Sequence, residues 1–188
     1  KEVTTKATAT ITSYGERLSS TIIFEIFKNK GYDVVLKDGR DLIETHIQNN
    51  RTVVTWDATQ IKTQEFFKNN SSKCTLVPGF VARDAAGNST TLGRGGSDFS
   101  AAILAHVLNA DVLEIWTDVS GMYTANPKLV KQATPIEKLS YLEAMELSHF
   151  GAKVIFPPTL QPLVEKQIPV RIKNTFAPED NGTLIDNR

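Results

Sequence analysis

Residues 93–118 read GRGGSDFSAAILAHVLNADVLEIWTD, in which a glycine-rich loop precedes a helical pattern and then a strand pattern. A turn needs fewer glycines, so the three around Arg94 predict backbone held close to a negatively charged group. The apolar stripe that predicts the helix consists of Phe99, Ala102, Ile103, His106, Val107 and Ala110. Ser97 comes just before that stripe and is expected to cap the helix. Loop, helix and strand in this order are typical of an α/β fold.

The same alternation of helical and strand patterns extends through the rest of the chain. Helices are predicted at 16–30, from a Thr59 cap to about 69, at 141–150 and at 160–166. Strands are predicted at 33–37, 52–57, 74–82, 111–118 and 169–175. Pro78-Gly79 interrupts the third of these, and residues 82–93 are expected to form a hairpin or an excursion with a Gly-Asn tip. Ser140 and Glu143 have the spacing of a capping box. No repeat or linker interrupts these units, so they predict one α/β sandwich with a mainly parallel sheet.

Composition excludes several classes of function. The chain of 188 residues is 40% hydrophobic and has equal numbers of basic and acidic side chains, 21 each, so no net charge attracts it to nucleic acid or membranes. Its single cysteine, Cys74, is predicted to be buried and inert, and it indicates a reducing, cytoplasmic location. The three histidines are too far apart for zinc-ligand spacing, and His106 is expected to be a hydrogen-bonded core residue.

The loop at residues 93–98 is the first of four stretches that carry chemistry. Arg94 suits a two-pronged grip on a carboxylate or phosphate, and Asp98 would then lie beside the ligand. The alternative is that Arg94 is a surface charge and that Asp98 only complements the helix dipole. Because glycine-rich loops are common, the loop alone does not decide between the two.

The other three stretches are WTDVSGMYTANPK at 116–128, FGAKVI at 150–155 and SYGERLSS at 13–20. The first combines polar groups, a tyrosine and a lysine that could seat a nucleotide. Lys153 in the second points either to water or into a site. Glu16 in the third either favours the helix dipole or accepts hydrogen bonds from a ligand ammonium. Taken singly, each stretch favours the interpretation without a ligand. These interpretations are a plain turn at 116–128, a Lys153 that reaches water and a Glu16 that complements the helix dipole.

In their order along the chain, these stretches together with PGFVA and LSYLEAMELSHFGAKVI resemble aspartokinase of the amino-acid kinase superfamily. The resemblance runs from about residue 11 to the GTLI tail and is strongest to the kinase portion of bifunctional aspartokinase–homoserine dehydrogenases. It implies a three-layer αβα sandwich, with an amino-acid-binding part over about 1–100 and a nucleotide-binding part over about 101–188. It further implies a cytoplasmic enzyme that uses ATP and Mg²⁺ to phosphorylate L-aspartate, and a homo-oligomeric full-length parent.

The resemblance also implies roles for five residues of the amino-acid-binding part. Glu16 would accept hydrogen bonds from the α-ammonium of aspartate, and Arg94 would hold its α-carboxylate. Phe80 would line the amino-acid pocket, and Ser97 would stand at the substrate end of the glycine loop. Asp98 would organise the catalytic lysines near the phosphoryl group.

Five further residues would serve the nucleotide. Thr117, Asp118 and Tyr123 would contact ATP, and Lys128 would keep a positive charge near its phosphates where many relatives have arginine. Lys153 would reach the phosphates and stabilise the charge that develops during transfer.

The sequence departs from the family's pattern at one point. The KFGG-type loop that follows the family's first strand, and carries a phosphate-binding lysine, does not occur in these 188 residues. We therefore expect a truncated amino-acid kinase domain that lacks its N-terminal strand and is inactive or nearly so. The alternatives are another superfamily enzyme, acetylglutamate or uridylate kinase-like, and a non-catalytic nucleotide-binding module.

Overall fold

The computed structural model describes residues 5–150 and 154–187. Its residues fall into two units, one ending at Ser100 and the other beginning at Ala101. In the described part of the chain, no helix has both the length and the apolar character needed to cross a membrane.

The described residues of the first unit form two long α-helices, the start of a third and six short strands. The helices are α1 (Thr5–Asn29), α2 (Trp56–Asn69) and α3 (Gly96–Leu108), the last continuing into the second unit. The strands are β1 (Val34–Leu36), β2 (Glu44–Gln48), β3 (Arg51–Val54), β4 (Cys74–Leu76), β5 (Val81–Asp84) and β6 (Ser89–Thr91).

These strands form two sheets. Strands β1 and β4 pair in parallel, and the other four lie in the order β3-β2-β5-β6. In the larger sheet β2 and β5 are parallel, whereas β2–β3 and β5–β6 are antiparallel hairpins. The predicted hairpin over 82–93 is confirmed, but the predicted strand 74–82 is two strands in different sheets. Pro78 and Gly79 separate them, because proline cannot donate a ladder hydrogen bond.

Helix α1 begins eleven residues earlier than the apolar pattern predicted, at Thr5 rather than Glu16. It ends as predicted before Gly31, which has a φ of 80°. Its predicted apolar face is largely exposed, since Leu18, Ile22 and Ile26 retain 61%, 62% and 47% of their accessible surface. The period therefore predicted the helix correctly without predicting burial.

The predictions for Cys74 and Thr59 in the first unit are also wrong. Cys74 is exposed at the start of β4, not buried. Thr59 does not cap α2, which begins at Trp56. Instead the buried Thr59 hydroxyl accepts from the Glu44 N–H at 3.0 Å, so it satisfies the backbone of β2.

In the part of the second unit that the structure describes, the rest of α3 is followed by two further α-helices and four strands. Its elements are β7 (Leu113–Thr117), β8 (Lys138–Ser140), α4 (Tyr141–Phe150), α5 (Gln161–Lys166), β9 (Val170–Asn174) and β10 (Thr183–Asp186). The capping box of α4 is confirmed, because Ser140 N–H donates to Glu143 Oε2 at 2.7 Å and Glu143 N–H to Ser140 Oγ at 3.2 Å.

The strands of the second unit form one sheet in the order β7-β9-β10-β8. The β7–β9 and β10–β8 pairs are parallel and β9–β10 is antiparallel, so the α/β class is confirmed with mixed rather than mainly parallel sheets. Its core joins Ala102 and Ala105 of α3 to strand residues such as Ile115, Val170 and Ile185. His106 is hydrogen-bonded as expected, since its Nδ1 donates to the Pro162 carbonyl at 2.7 Å.

Candidate active site

A cavity of about 280 Å³ lies in the first unit, beside the first turn of α3. Three segments far apart in sequence line it: Glu16 from α1, Phe80 from the turn before β5, and the loop 93–98. The loop contributes Gly93, Gly95, Gly96, Ser97 and Asp98. Folding therefore brings the motifs SYGERLSS, PGFVA and GRGGSD to one place.

The three glycines of the loop serve two different needs. Gly93 and Gly95 have φ of 74° and 66°, in the left-handed region that a side chain disfavours. Gly96 is needed for space, because a Cβ there would come within 2.7 Å of Phe80 Cδ2. The glycines thus let the loop turn closely against Phe80, so not all of them are explained by a bound anion.

The helix after this loop begins one residue earlier than predicted. Helix α3 starts at Gly96, with the Phe99 N–H donating to the Gly95 carbonyl at 2.9 Å. Ser97 therefore lies inside the first turn and is not the N-cap that the sequence suggested. Asp98 is the acidic residue of that turn, and it is partly buried in the cavity wall.

Burial raises the pKa of Asp98 above its ordinary value. Loss of water disfavours the charged carboxylate. The buried Asp98 therefore lowers the stability of the folded protein compared with an uncharged side chain of similar size at this position. Perturbed carboxylates in cavities are typical of functional sites.

Replacing Asp98 with asparagine is therefore expected to stabilise the protein at neutral pH. The raised pKa means that the folded state binds this proton more tightly than the unfolded state does. Stability is thus lost as pH rises from the unfolded pKa, about 3.9, through the folded pKa. Urea unfolding at pH 7 and near pH 4 should show the gain of D98N shrinking in acid.

Asp57 supplies the matched control for this prediction, since it lies in the first turn of α2 but is exposed. There the carboxylate only complements the helix dipole, so D57N should lower the free energy of unfolding by about 0.3–1 kcal/mol at pH 7. If D98N destabilised the protein as D57N does, burial of Asp98 would not be the dominant effect.

Arg94 stands between the two left-handed glycines and is exposed. It is not among the residues that line the cavity. Its planar guanidinium is the cationic group that the loop 93–98 supplies next to the cavity.

An ion-pair cluster that the sequence reasoning missed holds α1 near this cavity. Arg17, next to Glu16, has its Nε 3.8 Å from Asp38 Oδ2, and Arg40 binds the same carboxylate at 2.6 Å. Arg40 also donates to Ser89 Oγ at 3.0 Å, which connects the cluster to β6. Burial alone would raise the pKa of Asp38, but the hydrogen bonds and charges of Arg40 and the charge of Arg17 lower it overall.

The nucleotide-binding candidates lie in the second unit. Thr117 ends β7, and its hydroxyl donates to Asp118 Oδ1 at 3.2 Å. Tyr123 forms an isolated backbone bridge with Pro135. Lys128 is exposed in a turn in which its N–H donates to Asn126 Oδ1 at 2.9 Å. Lys153 lies outside the described residues.

The loop that carries Tyr123 and Lys128 is anchored by Thr183, another residue that the sequence reasoning missed. The buried Thr183 hydroxyl accepts from the Met122 N–H at 2.7 Å and donates to the Ile136 carbonyl at 2.6 Å. The sequence gives little indication of this anchoring role, since threonine is common in strands.

Comparisons with known proteins identify the family of this chain. The profile of the amino acid kinase family matches residues 1–174, which is most of the chain. The chain belongs to the amino acid kinase family. This amino acid kinase chain is 42% identical over 185 residues to the bifunctional aspartokinase/homoserine dehydrogenase of Haemophilus influenzae, in a match that covers 95% of the chain and 22% of that relative.

Two comparisons with Escherichia coli proteins place this amino acid kinase chain among the aspartokinase type. It is 35% identical to lysine-sensitive aspartokinase 3, over 95% of the chain and 40% of that protein. It superposes on the crystal structure of aspartokinase III in complex with aspartate and ADP with a TM-score of 0.91 at 35% identity, over 98% of the chain and 42% of that structure. The chain therefore spans less than half the length of these relatives.

Proposed function

We propose that this chain is the kinase part of an aspartokinase. In this reaction the γ-phosphoryl group of ATP passes to the β-carboxylate of L-aspartate, giving 4-phospho-L-aspartate for the synthesis of lysine, threonine and methionine. The observation that carries the proposal is the cavity on which Glu16, Phe80, Ser97 and Asp98 converge. The aspartate and ADP bound to the similar E. coli aspartokinase III support it.

The acceptor would bind in the first unit. A cavity of about 280 Å³ suits a small amino acid, and it offers carboxylates for an ammonium and backbone N–H groups of a glycine loop for an anion. Glu16 would accept hydrogen bonds from the α-ammonium, and Arg94 would hold the α-carboxylate. Phe80 would form the apolar wall, and Ser97 would help orient the ligand.

Phosphoryl transfer asks the protein mainly for positioning and charge stabilisation. A β-carboxylate oxygen of aspartate would attack the γ-phosphorus, forming one P–O bond while the bond to the β-phosphate oxygen breaks and ADP leaves. Asp98, in the first turn of α3, would orient the lysines that neutralise the charge of the transferring phosphoryl group. Lys153 is the lysine of this chain to which we assign that role.

The nucleotide would be held by residues of the second unit. Thr117 and Asp118 offer adjacent polar groups at the end of β7, Tyr123 offers a ring and hydroxyl, and Lys128 offers a charge for phosphates. Among the described residues, no three acidic, histidine or cysteine side chains are grouped to hold a metal. Mg²⁺ would enter with ATP, held mainly by its phosphates, and would neutralise part of their charge during transfer.

Calorimetric titration of the chain with L-aspartate and, separately, with Mg·ATP tests the proposal. We expect both to bind, and we expect N-acetylglutamate and UMP not to compete with aspartate. Binding of N-acetylglutamate or UMP instead would identify another superfamily enzyme. Binding of ATP alone would indicate a non-catalytic nucleotide module.

Turnover by these 188 residues alone is expected to be low. No KFGG-type lysine occurs among them, and loss of one preorganised electrostatic group typically costs about 10²–10³ in rate. A coupled assay of ADP release with aspartate measures this, and turnover typical of complete aspartokinases would contradict it. We also propose that the full-length parent is a homo-oligomer.

A further inference from the structure

Phe80, which lines the cavity, has an unusual backbone conformation. Its φ is 69°, in the left-handed region that residues with a Cβ rarely adopt. Such a conformation persists only where surrounding contacts hold the residue in place. Residues in this conformation cluster at functional sites. Phe80 therefore needs specific partners to keep its ring in the wall of the cavity.

One side chain provides the partner for the Phe80 backbone. Ser100, only 2% exposed, accepts from the Phe80 N–H at 2.8 Å. The same hydroxyl donates to the Gly96 carbonyl at 2.9 Å. A serine hydroxyl has one proton and two lone pairs, so both bonds are made together. Ser100 thus ties the Phe80 turn to the first turn of α3.

The two tied segments are also in close contact. A Cβ on Gly79 would come within 3.0 Å of the Ser97 Cα, and one on Gly96 would meet the Phe80 ring. The Phe80 carbonyl accepts from the Leu92 N–H at 2.9 Å, which also fixes the peptide unit that follows Phe80. The Ser100 hydroxyl therefore joins the Phe80 N–H directly to the helix that carries Ser97 and Asp98.

We infer that Ser100 is a positioning residue, which holds Phe80 in its left-handed conformation and so sets the shape of the acceptor cavity. Ser100 does not itself line the cavity. The effect on aspartate rests on the proposed function, whereas the effect on Phe80 does not.

The test compares S100A and S100T with the unchanged chain. In S100A the Phe80 N–H loses its partner, and we expect its hydrogen exchange to be about tenfold faster or more. The φ-sensitive NMR coupling of Phe80 should shift away from its left-handed value. Aspartate affinity measured by calorimetry should fall about tenfold, as the wall of the cavity moves. S100T keeps a hydroxyl and should bring all three readouts back toward those of the unchanged chain.

Ser13 provides the matched control. Its hydroxyl is also fully buried, but it donates to the Thr10 carbonyl at 2.7 Å within its own helix. S13A should therefore leave the Phe80 exchange rate and coupling unchanged, even if it lowers the unfolding midpoint.

The outcomes separate this inference from the proposed function. If S100A left the exchange and coupling of Phe80 as they are in the unchanged chain, the inference would be wrong. The same holds if S13A and S100A weakened aspartate binding equally while Phe80 did not change. If the unchanged chain bound no aspartate but Phe80 still responded to S100A, the aspartokinase proposal would fail and the positioning role would stand.

Discussion

Replacing Gly182 by alanine is expected to destabilise the second unit by about 3 kcal/mol or more. Gly182 has a φ of 68°, and a Cβ there would collide with the Ile172 carbonyl oxygen. That oxygen belongs to β9, so the backbone could yield only by moving β10 away from its neighbour. Because β10 lies between β9 and β8, its displacement also leaves β8 without its partner in the sheet. Urea unfolding measures the loss.

Two other glycines separate the cost of a positive φ from the cost of the steric collision. Gly87, at the hairpin tip, has a φ of 84° but open space around its Cβ position, so G87A should cost only about 1 kcal/mol. Gly15 is helical with open space, and G15A should be stabilising by about 0.5–1 kcal/mol. A loss in G182A no larger than that in G87A would show that the collision is relieved without moving the strand.

Replacing Glu16 by glutamine is expected to weaken aspartate binding about 30-fold or more, because truncating one partner of a desolvated charge pair costs about 2 kcal/mol or more. Glu16 is partly buried at the cavity wall, and glutamine keeps its shape while removing its charge. In the proposed complex this charge pairs with the α-ammonium of the ligand. Calorimetry with aspartate and with succinate, which lacks the ammonium, measures the pairing directly.

The comparison of ligands makes the prediction specific. Wild-type chain should prefer aspartate to succinate, and E16Q should lose most of that preference. Glu25 lies exposed on the same helix, so E25Q removes an equal charge without touching the cavity and should bind aspartate normally. An unchanged preference in E16Q would mean that Glu16 does not contact the ammonium.

Local chemistry made parts of the structure readable from the sequence. The capping box at Ser140, the strand 113–117 and the hairpin with its tip at 87–88 depend on residues close together in the chain. Those are interactions that neighbouring residues decide. The short strands β2, β8 and β10 were not predicted, because each contains only one or two apolar residues and becomes a strand through its pairing with another segment.

The candidate site could be predicted from the sequence only in part, because local patterns do not show contacts between distant segments. The order of five motifs along the chain indicates five candidate residues of the acceptor site: Glu16, Phe80, Arg94, Ser97 and Asp98. Motif spacing could not show that Gly96 is required by the Phe80 ring, or that Ser97 lies within the helix and does not cap it. The first fact depends on a contact across sixteen residues of chain, and the second on the residue at which α3 begins.

By itself, the sequence determined the α/β class, the positions of most helices and the family, because periodicity and motif order are properties of the chain alone. Only the tertiary structure decided which face of α1 is buried, which glycine needs space and which needs positive φ, and what Ser100 and Thr183 hold. The physical reason is that burial, close approach and a hydroxyl's choice of partner depend on segments that meet only after folding. No local pattern of residues shows those contacts.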